Sequence, residues 1–326
     1  MGSVCIIGDG GWGTALAILL HTKGIETVLW SVSPAYADKV NTSRENTKFL
    51  KGVALPAGLN MTGDDMAARD AEYGIFAVPC EYLRSVAGRF SGAGFKYVVS
   101  TTKGIEKSTL KRPSEILEEY FPAEKIHVLS GPTIAYEVAK GMPTTAVAAS
   151  RSESREQARD LFMTERFRVY TSSDVVGVEL GGALKNIVAI AAGISDGQGF
   201  GTNTKSAILT RGLAEITRLG VKMGAEKETF SGLSGIGDLM TTCISPRSRN
   251  RWFGEEVGKG RKAEDILKET EMVVEGIGTC KSAYELSKKN KVEMPITAKI
   301  YQIIYEGKDP ADAVRELMTR EPKEED

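Results

Sequence analysis

The chain has 326 residues, more than one ordinary domain needs, and 41% of them are hydrophobic, ample for two cores. Its 42 lysines and arginines against 43 aspartates and glutamates leave a formal net charge of −1, so no global basic field attracts nucleic acid and no global acidity points to disorder. A small polar ligand is the expected partner. Cys5, Cys80, Cys243 and Cys280 show no C-x-x-C and no metal spacing, which fits a reducing compartment. No apolar run is read as reaching the ~20 residues of a bilayer span. The amino terminus enters a strand without a charged leader, so a cytoplasmic protein is expected.

In chain order, Val4 to Ile7 is a short apolar run ending in glycine, Thr14 to Lys23 has helical periodicity, and Thr27 to Trp30 reads as a second strand. Together they form a βαβ unit. Further apolar runs at Gly74 to Val78, Tyr97 to Ser100, His127 to Ser130 and Thr145 to Ala149 lack alternation, as strands covered on both faces do, and Phe167 to Tyr170 reads as a last strand before the chain changes character. From Asp174 the pattern turns helical: Asp174 to Ile194, Lys205 to Leu219, Ala225 to Thr229, a helix opening near Arg249, Ala263 to Lys268, Gly276 to Lys289 and Ile296 to Tyr305. The expected fold class is α/β, a Rossmann-like, mostly parallel sheet domain over residues 1–178 followed by an all-helical C-terminal domain over 179–326, with a charged tail from Glu321 to Asp326.

The first turn carries a cofactor signal. Gly8-Asp9-Gly10-Gly11-Trp12-Gly13 is G-x-G-x-x-G directly after a strand and at the opening of a helix. Gly8 permits the tight turn, Gly10 lets the backbone approach a pyrophosphate, and Gly13 allows close packing of helix on strand. The helix N-terminus adds free N–H groups and positive partial charge. A dinucleotide is expected there. The second strand ends Trp30-Ser31-Val32-Ser33, with no acid to hold a ribose hydroxyl or repel a 2′-phosphate, so both NAD and NADP remain open.

Hydride transfer needs a group that handles the proton, and the two histidines are poorly placed for it: His21 late in the first helix, His127 at the start of a strand. Lysines remain. Lys185 is the one ionisable side chain between Glu179 and Asp196, among glycine, alanine and branched residues. Either it snorkels from the edge of a core helix, or it holds a partner or a lowered pKa that suits acid–base work. Lys103, in Ser-Thr-Thr-Lys-Gly after a strand, is the second candidate. The turn Ser130-Gly131-Pro132-Thr133-Ile134-Ala135 holds substrate or caps a helix. Asp238, after a glycine-rich approach, caps a helix or orients Lys185. Ser248-Arg249-Asn250-Arg251 at a helix start suits phosphate, whereas Arg247 and Arg251 read as solvated basic residues.

From Val4 to about Gly307 the sequence resembles the bacterial-type NAD(P)-dependent glycerol-3-phosphate dehydrogenases. The resemblance rests on Gly8 to Ala17, Thr102-Lys103-Gly104, Ser130 to Thr133, Gly181-Gly-Ala-Leu-Lys-Asn186, Gly201 with Asn203, Gly237-Asp-Leu239, Ser248 to Arg251, Val273-Val-Glu-Gly276 and Met294-Pro-Ile-Thr297. It implies reversible reduction of dihydroxyacetone phosphate to sn-glycerol 3-phosphate for phospholipid synthesis. The implied proton carrier is Lys185, with Asn186 and Asp238 holding its ammonium. Lys103, Gly131, Thr133, Asp238, Ser248, Arg249 and Asn250 would line the substrate site, supported by Thr242. Beside the glycine turn, Gly11, Trp12, Lys103, Ala135, Arg249, Val273 and Glu275 would touch the cofactor. A metal-free cytoplasmic homodimer acting on a small phosphorylated three-carbon substrate is implied, with no nucleic acid and no membrane span.

Two other readings compete. β-Hydroxy-acid dehydrogenases also carry a lysine in G-x-x-x-K, which Gly181 to Lys185 satisfies, but they want asparagine one turn later, where Ala189 stands. A non-catalytic NAD(P) sensor would have no use for a proton donor.

Overall fold

Residues Val4–Ile7 and Tyr73–Phe76 are buried without alternation, because both faces of the sheet they enter are covered. The structure is a computed structural model that describes residues 2–322, 324 and 325, so Met1, and Lys323 and Asp326 of the expected charged tail, lie outside the described residues. Eight strands form one sheet: β1 (Val4–Ile7), β2 (Thr27–Trp30), β3 (Asn60–Thr62), β4 (Tyr73–Phe76), β5 (Tyr97–Ser100), β6 (Ile126–Ser130), β7 (Thr144–Ala149) and β8 (Phe167–Ser172). Their order is β3-β2-β1-β4-β5-β6-β7-β8. All pairs are parallel except β6 with β7. The chain reverses direction from β1 outward to β3 and then from β4 onward, so the crevice where a ligand is expected lies beyond the carboxyl ends of β1 and β4.

β3 was not anticipated, since three residues at a sheet edge carry too little pattern to read. Helices between the strands, such as Pro34–Ser43, Cys80–Arg89 and Arg155–Phe162, and Asp238–Ile244 and Pro310–Met318 in the helical half, are further elements that the sequence reading does not name, and the expected helix at Ala225 to Thr229 is one 3-10 turn at Lys227–Ser231.

The long helix Val175–Gly197 is capped by Asp174, whose carboxylate accepts from the Gly177 amide at 2.8 Å, and it is buried from Gly177 to Ser195. By length and composition it is apolar enough to cross a bilayer, which corrects the reading that no such run exists; its burial identifies it as a core helix. The following helices wrap it. The helix Arg249–Gly258 comes closest, since a Cβ on Gly193 would stand 2.0 Å from the Arg251 carbonyl oxygen and one on Gly254 2.1 Å from that of Ile190. Val175 and Val178 pack with Val128 and Val147 of the sheet, whereas Leu180 and later residues join the helical core.

Candidate active site

The long helix carries Lys185 to the carboxyl edge of the sheet. The residue is 6% exposed, and its Nζ donates to Asp238 Oδ1 and, at 2.7 Å, to Thr242 Oγ1. Asp238 begins the short helix Asp238–Ile244, so Thr242 stands one turn later and donates its own hydroxyl proton to the Asp238 carbonyl at 2.7 Å. That leaves the Thr242 oxygen free to accept from the lysine. Lys103, just past β5, donates to the other oxygen of Asp238 at 2.6 Å and to the Gly131 carbonyl, just past β6, at 3.0 Å. One buried carboxylate therefore joins two ammonium groups. Burial pulls the Lys185 pKa down to about 7; Asp238 opposes that shift and Lys103 reinforces it. The snorkelling reading of Lys185 and the capping reading of Asp238 both fall.

The glycine turn is built as its spacing predicts. Gly8 has φ +124, where side chains are strained, and a Cβ on Gly13 would stand 2.0 Å from the Gly8 carbonyl oxygen. Gly10 has no atom within 4 Å of its Cβ position, which leaves open space above the helix N-terminus. A pyrophosphate fits there, because the first N–H groups of the helix Gly11–Thr22 carry no side-chain cap. Asn46 braces the turn from a neighbouring loop, its Nδ2 donating to the Asp9 carbonyl and to Thr14 Oγ1, both at 2.7 Å. Sequence reasoning missed Asn46, which sits in no local motif. At the end of β2, Ser31 Oγ donates to the Asp9 carboxylate at 2.5 Å and Ser33 Oγ accepts from the Tyr36 amide at 3.2 Å, so both hydroxyls have partners within the protein.

The third corner comes from the helix Arg249–Gly258. Ser248 caps it by accepting from the Arg251 amide at 3.2 Å. Arg249 is open to solvent along the cleft, yet protein flanks its guanidinium, and burial lowers its pKa against the opposing charge of Glu275. Glu275 is itself pushed up to about 7 by burial, with Arg249 opposing. Val273 and Glu275 line a cavity of about 520 Å³ together with Cys80, Ile105 and Gly278. Asn250 donates to Asn186 Oδ1 at 2.9 Å and accepts from the Gly276 amide at 2.8 Å, which ties the long helix to the segment bearing Glu275.

Against known proteins, residues 3–156 match the profile described as NAD-dependent glycerol-3-phosphate dehydrogenase N-terminus, and residues 174–315 match that of the C-terminus. The chain belongs to the NAD-dependent glycerol-3-phosphate dehydrogenase family. Glycerol-3-phosphate dehydrogenase (NAD(P)+) of Thermoanaerobacter is 49% identical, with 99% of this chain and 98% of that protein covered. Its counterpart from Chlorobium luteolum is 47% identical, with 99% of both covered. The crystal structure of glycerol-3-phosphate dehydrogenase from Coxiella burnetii superposes with a TM-score of 0.94 at 34% identity, covering 98% of this chain and 99% of that one. D-mandelate dehydrogenase, at 12% identity and a TM-score of 0.65, shares the fold alone.

Within this family frame some expectations change. The ammonium is held by Asp238 and Thr242, while the Asn186 amide oxygen turns to Asn250 instead of the lysine. Gly131 offers its carbonyl to Lys103 and, at 3.2 Å, to Thr133 Oγ1, and neither Thr133 nor Ser130 caps the helix Ala135–Ala139 that follows. Arg251 is not solvated: it pairs with Asp196 at 2.7 Å, and Lys205 meets the same carboxylate at 2.6 Å. Arg247 lies 3.7 Å over the Tyr136 ring. Trp12 and Ala135 pack beside the glycine turn against the sheet-side core. His21 and His127 bond backbone carbonyls at Ala57, Lys125 and Ser154, and take no part in the site. Among the described residues no cluster of His, Cys, Asp or Glu is placed to hold a metal ion.

Proposed function

We propose that this chain interconverts dihydroxyacetone phosphate and sn-glycerol 3-phosphate, with NAD(P)H supplying the hydride when bound on the Gly8–Gly13 turn. The observation that carries this reading is Lys185, buried on Asp238 with a pKa drawn down to about 7, where a lysine can both give and take a proton near neutrality. As charge develops on the ketone oxygen at C2, the Lys185 ammonium hydrogen-bonds that oxygen and protonates it. Asp238 and Thr242 fix the ammonium, and burial keeps its pKa low, with Lys103 adding to the shift. Arg249 and the helix N-terminus at Ser248 to Asn250 grip the phosphate; Gly131 and Thr133 border the substrate, and Asn186 positions Asn250. Trp12, Ala135, Val273 and Glu275 flank the coenzyme.

The reading includes a division of labour, residues 1–178 for the dinucleotide and 179–326 for the substrate, supported by the change of core between Val178 and Leu180. It also includes a cytoplasmic homodimer serving phospholipid synthesis, supported by the family resemblance and by four free cysteines. The test follows absorbance at the nicotinamide band with dihydroxyacetone phosphate, offering NADH and NADPH separately. Substrate-dependent oxidation is expected, and the two rates measure coenzyme preference. No oxidation with either coenzyme, or turnover of a β-hydroxy acid instead, overturns the reading.

A further inference from the structure

A groove of about 360 Å³ opens on the helical half, and no part of the proposed reaction uses it. Its walls come from Ile194 and Ser195 on the long helix, Ala207 and Arg211 on the helix Thr202–Lys222, Ile300 on the helix Pro295–Glu306 and Leu317 on the helix Pro310–Met318. Ser195 follows Lys185 by ten residues on one helix, a rise of about 15 Å, so the groove stands apart from the reacting corner. Its volume falls in the range of small-molecule sites, roughly 300–1,000 Å³, which combine apolar walls with a few polar groups.

Two of those polar groups have no partner among the described residues, one of them buried and the other exposed. Ser195 is 2% exposed, and its Oγ has no hydrogen-bond partner among the described residues, an unfavourable state for a buried hydroxyl. Arg211 makes no hydrogen bond or ion pair among the described residues, unlike the other cations of the lining: Arg218 donates to the Glu293 carbonyl, Lys299 pairs with Glu316, and Arg320 pairs with Glu293. Of the acids on the lining, Glu215, Glu293 and Glu324, the first is turned inward, where its carboxylate accepts from the Ile296 and Thr297 amides.

We propose that this groove binds an apolar organic anion, its body along Ile194, Ile300 and Leu317, its anionic head on Arg211 and a second acceptor oxygen at Ser195. The proposal is independent of the reaction assigned above. The probe is N-decanoylglycine, which carries a carboxylate and an amide carbonyl on one alkyl chain, titrated calorimetrically below its micelle concentration against the full chain. Saturable one-to-one binding is expected. Decyltrimethylammonium should bind at least tenfold more weakly. Arg211→Glu should weaken the acylglycine about tenfold, Ser195→Ala severalfold, and Ala207→Trp should fill the groove and abolish binding, each with coenzyme turnover retained as proof of folding. Absence of saturable binding overturns the proposal, as does equal binding of the cationic amphiphile or an affinity unmoved by any of the three substitutions. If instead a second copy of the chain covers this face, Ala207→Trp will change the sedimentation coefficient and the wild type will bind no probe, which also overturns it.

Discussion

At the scale of residues, one carboxylate organises the centre. Asp238 receives Lys185 on one oxygen and Lys103 on the other, so two cations that would repel each other are held in one corner. Replacing Lys185 by alanine removes the proton carrier and should lower turnover about 10²–10⁴-fold, as loss of a general acid–base does. Coenzyme affinity, measured by quenching of tryptophan fluorescence, should stay near that of the wild type; if turnover survives instead, the proton belongs to another group. The lowered pKa also fixes a pH dependence. Oxidation of the alcohol needs the neutral amine, so kcat/KM in that direction should rise with pH up to about 7 and level off above it. Reduction needs the ammonium and should fall above the same point. Lys103→Met removes the charge that depresses Lys185, so the inflection should move to higher pH, a shift that plain loss of substrate affinity would not produce. The lysine's isolation was legible in the sequence. Its partner was legible only through the family resemblance, because Asp238 lies 53 residues away and spacing alone leaves open whether it caps a helix or orients the lysine.

At the scale of elements, the long helix is held at several points. Glu179, six residues before the lysine, accepts from Arg112, from Ser114 Oγ at 2.7 Å and from the Ser114 amide at 2.7 Å, all in a buried setting. Glu179→Ala leaves the Arg112 guanidinium buried without its main counter-charge, an uncompensated burial that costs about 3–5 kcal/mol. Urea unfolding should report that loss; an unchanged midpoint would show the pair to be dispensable. Farther along, the backbones of the long helix and of Arg249–Gly258 touch through glycine. A Cβ at Gly193 would collide with the Arg251 carbonyl, so Gly193→Ala should destabilise by at least about 1–3 kcal/mol and, by displacing the helix that begins at Arg249, raise KM for the phosphorylated substrate. Sequence periodicity set the long helix near its observed limits and marked where the helix at Arg249 opens. Which glycines were contact points it did not show, since a glycine needed for close approach looks like any other.

At the scale of the whole molecule, contacts bridge the two halves beside the cleft. Arg247 stacks on Tyr136, and Lys48 pairs with Glu271 at 2.7 Å. The Lys48 pair is exposed and screened by solvent, so it contributes little, whereas a cation over a ring contributes ~0.5–1 kcal/mol even at the surface. Arg247→Ala should therefore raise the Michaelis constant of coenzyme or substrate about two- to fivefold while leaving the unfolding midpoint nearly unchanged. Steady-state kinetics beside thermal unfolding separates the two, and an unaltered Michaelis constant would mean that the contact does not help close the cleft.

By itself the sequence determined the βαβ opening, the glycine turn, the succession of sheet and helical halves, and the lysine that stands alone in an apolar helix. Each of these is written in neighbouring residues: periodicity of 2 or 3.6, glycines where the backbone must bend, and the absence of charge around one ammonium. The tertiary structure decided what those residues meet. It set Thr242 beside Asp238 on the Lys185 ammonium in place of Asn186, turned Asn186 toward Asn250, set Asn46 behind the turn, and engaged Ser31 and Arg251 within the protein. These are contacts between segments far apart in the chain, created by packing, and local spacing carries no record of them.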